Sequence, residues 1–135
     1  MTSLLKSFVL PAAAFTLALG AGVASAQPVA QTPLSQPVQA SGSVNPSRPS
    51  SCGVLGNSAV QVLQVTQDFA AVDIAVNGTS GLTLLIEGTN GFSECHTGGG
   101  GSINAPGLLN QGTYSFFVGN SSQTPTSYNL TIREN

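Results

Sequence analysis

Five stretches of this 135-residue chain place an apolar side chain at every second position. Val72, Ile74 and Val76 alternate with Asp73 and Ala75, Leu82, Leu84 and Ile86 with Thr83 and Leu85, and Tyr114, Phe116 and Val118 with Ser115 and Phe117. Tyr128, Leu130 and Ile132 alternate with Asn129 and Thr131, while Val60 and Val62 flank Gln61 and Val65 follows Gln64. A strand points successive side chains to opposite faces, so a period of two marks strands with one face in a core and the other in water. Asn77-Gly78, Gly81, Gly88-Thr89-Asn90-Gly91 and Gly119-Asn120-Ser121 separate these stretches and suit turns that need positive φ. Beyond residue 26 no sustained i, i+3, i+4, i+7 stripe marks an amphipathic helix. Repeated short strands without helices predict an all-β fold, a small antiparallel β-sandwich of jelly-roll type. The runs are shorter than the roughly nine to eleven residues of a bilayer-crossing strand, which argues against a membrane barrel.

Residues 1–26 read as a signal peptide. Lys6 gives a basic start, Phe8 to Leu19 an apolar region, and Ala24-Ser25-Ala26 a small-x-small cleavage site, so the mature chain is expected to begin at Gln27. No cysteine stands at that site to receive a lipid, and no later apolar stretch approaches the roughly 20 residues of a membrane span. Residues 27–50 hold Pro28, Pro33, Pro37, Pro46 and Pro49 among Gln, Ser, Ala and Val. They predict a flexible Pro-rich linker or arm, because proline removes backbone donors and large apolar side chains are few. Pro46-Ser47-Arg48-Pro49 matches P-x-x-P, a pattern so short that it arises readily in proline-rich sequence.

The remaining 85 residues, 51–135, are expected to form one domain with a single small core. Cys52 and Cys95 are the only cysteines, and in an exported chain they predict one disulfide, which the chain-entropy model values at about 4 kcal/mol at most. No C-x-x-C is present to point to redox chemistry.

Charge narrows the possible functions further. Only 6% of residues are charged, against about a quarter in ordinary soluble domains. Without the leader, Arg48 and Arg133 face Asp68, Asp73, Glu87, Glu94 and Glu134, a formal charge of −3. Two arginines cannot build the basic stripe that nucleic-acid backbones require. Gly98 to Gly101 read as a flexible loop rather than a phosphate cradle, because no lysine follows them.

The C-terminal half carries a resemblance. Leu109-Asn110-Gln111-Gly112-Thr113-Tyr114, then Val118-Gly119, then Tyr128-Asn129-Leu130-Thr131-Ile132, resembles the ending of bacterial pre-peptidase C-terminal-like domains. Leu82 to Gly88 is similar to the strand before that family's central turn, and Cys52 and Cys95 match the cysteine positions of its small exported, disulfide-bearing members. The resemblance spans roughly residues 51–133 and implies a jelly-roll-like β-sandwich without catalysis, an accessory part of secreted enzymes or a component of exported surface proteins. Many relatives follow the second cysteine with an Asn/Asp run, whereas here His96-Thr97-Gly98 follows, so calcium binding is not carried over. Glu94 and His96, two apart on one face, fall short of the three or four ligands a transition metal takes.

No metal site and no cofactor are therefore expected, and no catalytic residue is assigned. His96 is the lone histidine, Asp68 and Asp73 are remote in sequence, no G-x-S-x-G occurs, and a Glu87–Glu94 pair has no shielding that would raise a carboxyl pKa. Tyr114 and Tyr128 fall on core phases, which leaves Phe69 and Phe92 as the candidate exposed ligand contacts. The expected function is a non-catalytic exported module, periplasmic or extracellular, that binds a protein or polysaccharide or serves structurally at the cell envelope. The alternative is a small carbohydrate-binding, lectin-like β-sandwich.

Overall fold

The computed structural model describes residues 28–135. The expected signal peptide and the cleavage site before Gln27 lie outside the described residues. Among the described residues there are nine strands and no helix: β1 Val29–Gln31, β2 Val38–Val44, β3 Arg48–Ser50, β4 Gly53–Leu55, β5 Gln61–Gly78, β6 Leu82–Gly88, β7 Ser93–Gly98, β8 Ser102–Asn120 and β9 Thr126–Glu134. No helix of the described residues is long and apolar enough to cross a membrane.

Two long strands organise the rest. β5 and β8 pair antiparallel along almost their whole length, Gln61 with Phe116 at one end and Asn77 with Ser102 at the other. Between Val65 and Phe69 the register shifts, with three residues on β5 where β8 has Gln111 alone. Such a bulge bends a paired ribbon, and here it divides the hairpin into two arms. One arm continues into a leaf ordered β2, β9, β5 and β8. The other continues into a leaf ordered β1, β5, β8, β6 and β7, where β1 is parallel to β5 and the other pairs are antiparallel. The leaves face each other as a sandwich joined through the bent hairpin.

The period of two places the core between the leaves. Across the first leaf Val38, Ile132, Ile74 and Ala105 form one row, and Ala40, Leu130, Val76 and Ile103 the next. Leu63 and Tyr114, Phe116 and Ile86, and Val118 and Leu84 come from the second leaf, and these residues meet the first leaf's rows in one buried cluster. At the corner Tyr114 is fully buried, its hydroxyl donating to the carbonyl of Asn110 at 2.6 Å and accepting from Asn90 Nδ2 at 2.9 Å. Those bonds satisfy a phenol that burial would otherwise penalise.

Three expectations require correction. Residues 28–50 are not a free linker: β1, β2 and β3 enter the sheet, with Pro28 and Pro37 just before β1 and β2, Pro33 and Pro46 in connections, and Pro49 alone inside a strand, the short β3. Val38, Ala40, Gly42 and Val44 do alternate, and β9 supplies their hydrogen-bonding partner strand. The phase at the start of β5 also differs from the expected one. Leu63 and Val65 join the core cluster, whereas Val62 is buried on the opposite face, in register with Val29 of the neighbouring strand β1. Finally, Gly98 to Gly101 make a tight turn instead of a loose loop. A Cβ on Gly101, at φ +87°, would lie 2.4 Å from the Gly78 carbonyl oxygen, and one on Gly98 would lie 2.3 Å from that of Ser102.

Candidate functional site

Cys52 and Cys95 are joined by a disulfide, with their Cα atoms 5.6 Å apart. Cys52 is buried and its Sγ lies 3.4 Å from the Leu84 carbonyl oxygen, while Cys95 is exposed on β7. The bridge therefore pins the turn between β3 and β4 onto the outer face of the second leaf, beside the edge strand. On that same face the Arg48 guanidinium lies 4.9 Å from the centre of the Phe117 ring, a cation–π contact.

The two phenylalanines singled out as exposed contacts separate. Phe69 is 58% exposed at the corner bulge. Phe92 is half-buried and packs edge-on against Tyr114, ring centres 5.4 Å apart at 81°, so it extends the core instead of offering a free platform. Glu94 and His96 touch each other at 3.1 Å, and among the described residues no group of three or more His, Cys, Asp or Glu side chains comes together. Asp73 and Arg133 are cross-strand neighbours on the outer face of the first leaf, far in register from Glu87 at the end of β6.

A broad concavity lies beside the segment expected to be a linker. A groove of about 670 Å³ runs along β2, walled on one side by Gln39, Ala40, Ser41, Ser43, Val44 and Asn45, and on the other by Gly56 to Val60 with Pro28 at its end. Tyr128 stands in it. Tyr128 pairs across the sheet with Gly42, and the absence of a side chain there leaves room for the phenol, whose oxygen would lie 3.3 Å from a Cβ at that position. Burial pushes the Tyr128 phenol above its usual pKa of 10.0. Among the described residues no charged side chain lines the groove, so it offers hydroxyls, amides, one aromatic ring and the edge of a strand. A weak sign of it was present in the sequence: the alternation in Val38 to Val44 and the small Gly42 that faces an aromatic residue.

Comparison with family models gave no match, and no curated protein matched. Among solved structures, the chain is similar to the crystal structure of the pre-peptidase C-terminal domain of a collagenase from Bacillus anthracis, at 15% identity and a TM-score of 0.50. The match covers 80% of this chain and 97% of that one. The share of this chain is larger than residues 51–135 alone can supply, so residues N-terminal to Ser51 belong to the common fold. With its bent hairpin, its two leaves and the Leu109 to Tyr114 corner, the chain has the fold of a pre-peptidase C-terminal domain.

Proposed function

We propose that the protein is a non-catalytic module that acts by association, as a binding or structural component of the exported fraction or the cell envelope. The observation that carries this reading is the uncharged groove along β2. Among the described residues no carboxylate, imidazole or ammonium group lines it to exchange a proton, and burial raises the pKa of the Tyr128 phenol further. Such a surface suits a partner recognised by shape, backbone and neutral hydrogen bonds. The disulfide supports an oxidising compartment, in keeping with the leader expected at residues 1–26. The similar structure is itself one domain of a collagenase, which supports an accessory role for the same fold here.

A neutral polysaccharide is the second reading, favoured by Tyr128 standing among Gln39, Asn45, Asn57 and Ser58, an aromatic ring beside amides and a hydroxyl. Retention of the protein on immobilised envelope fractions and on immobilised polysaccharides separates the two. Asn45→Asp with Asn57→Asp brings two carboxylates into the groove and is expected to abolish whichever retention is found. Retention that survives both substitutions would place the binding surface elsewhere.

A further inference from the structure

Among the described residues, one wall of the groove is a strand edge with no hydrogen-bonded neighbour, across from Gly56 to Val60. Gln39, Ala40, Ser41, Ser43 and Val44 line it from both faces of β2, which happens only when the strand's edge itself borders the groove. A sheet edge offers unpaired N–H and C=O groups to any other strand, and natural folds guard such edges with charge, proline or brevity. The other edges here are guarded in those ways. β7 carries Glu94 and His96 opposite Ile86 and Leu84, on the core-side face. The first arm of β8 carries Pro106, β3 is Arg48-Pro49-Ser50, and β1 has three residues. β2 alone runs seven residues without a charge or a proline, and among the described residues it pairs only with β9.

The sequence of β2 also has the character of a palindrome, Val-Gln-Ala-Ser-Gly-Ser-Val. Laid antiparallel against a second copy about a two-fold axis at Ser41, Val38 faces Val44, Gln39 faces Ser43, Ala40 faces Gly42, and Ser41 faces its own equivalent. Small and apolar residues then meet on the core side and hydroxyls and amides on the outer side, with no like charges opposed. A slip of one residue would set Val44 against Gln39 and lose that match. We infer that the protein forms a two-fold dimer in which Val38 to Val44 of two copies pair antiparallel about Ser41, joining two four-stranded leaves into one continuous sheet. The inference rests on the association reading above and names the partner as a second copy of this chain. A closed two-fold pairing of this kind also removes the unguarded edge from solution.

Light scattering and sedimentation of the full chain, expressed with its own leader, test this. The expected mass is that of a dimer, and Ser41→Lys, which sets two lysines face to face, is expected to halve it. Ser41→Asp is expected to do the same, and an equimolar mixture of the two variants to restore the dimer mass. Ser41 is exposed, so each variant keeps a folded circular dichroism spectrum. Gln39→Lys, opposite Ser43, provides a second probe with a smaller expected loss. A wild-type monomer at every soluble concentration overturns the inference, as does a dimer indifferent to Ser41→Lys. A monomer still retained by envelope or polysaccharide fractions overturns the pairing and leaves the association reading standing, whereas a dimer that retains neither supports the pairing and removes the reading of a further ligand.

Discussion

The backbone N–H of Leu34 donates a 2.7 Å hydrogen bond to the Glu134 carboxylate, one hundred positions away near the end of the chain. The other carboxylate oxygen accepts from Gln67 Nε2 at 3.1 Å, and Gln67 in turn meets the hydroxyl of the buried Thr32. Thr66, beside Gln67 in the corner bulge, donates its hydroxyl to the Thr32 carbonyl at 2.7 Å. One carboxylate thus ties the proline-rich segment, the corner and the last strand together.

Glu134→Ala leaves the Leu34 N–H and the Gln67 amide without their charged acceptor. Losing such bonds typically costs about 1.5 to 3 kcal/mol, and thermal melts of the variant should show a loss of that order. Deleting residues through Val44 should be far worse, because it strips the edge from Tyr128, Leu130 and Ile132. That shortened chain is expected to be degraded rapidly by protease under conditions in which the intact protein survives.

The core makes its own prediction. Phe116 is fully buried where the two leaves meet, and Phe116→Ala should cost about 3 to 5 kcal/mol, enough to unfold or nearly unfold a domain of this size. Asp73→Asn, Glu94→Gln and His96→Ala alter exposed or half-exposed side chains and should stay within about 0.5 kcal/mol of the wild type. Denaturant melts of the four variants check the contrast.

Replacing Cys52 and Cys95 together with serine opens a loop whose ends are 43 residues apart, and the loss of stability should be about 2 to 4 kcal/mol. Intact mass of the wild-type protein after export, with and without reduction and alkylation, should show the bridge directly. Two thiols reacting without reductant would contradict it.

Tyr128 should make the protein alkali-sensitive in a definite window. Burial raises its folded pKa above the unfolded value of 10.0, so the unfolded chain loses that proton first. Its contribution is fully present below pH 10.0 and is lost as pH rises through the folded pKa. Tyr128→Phe should flatten this part of the stability-versus-pH curve, and ultraviolet titration of the variant should lack the contribution of that phenol.

The alternation of apolar and polar residues was enough to find the strands ending at Gly78, Gly88, Asn120 and Glu134, and to orient Tyr114, Phe116 and Val118 toward the core, because side-chain direction along a strand is a local property. The two cysteines and the corner motif from Leu109 to Tyr114 were readable for the same reason: each depends on residue type and spacing. Pairing is not local. Whether Val38 to Val44 trails in solvent or becomes a strand depends on β9 supplying its hydrogen bonds, 82 to 94 positions later, and no count of prolines contains that information. Likewise, none of the alternating stretches covers Ser102 to Asn110, which holds Pro106 and Gly107, yet β5 holds it in register from Asn77 to Phe69. Phe92 and Tyr128 show the same division among side chains. Their positions in the sequence made Phe92 look free and Tyr128 buried; both are half-buried against the core, Phe92 edge-on to Tyr114 and Tyr128 over Gly42. Composition and periodicity determined that the chain must be a sparsely charged β protein with one possible staple; the tertiary structure decided which edge stayed open, because an edge exists only once every other strand has found its neighbour.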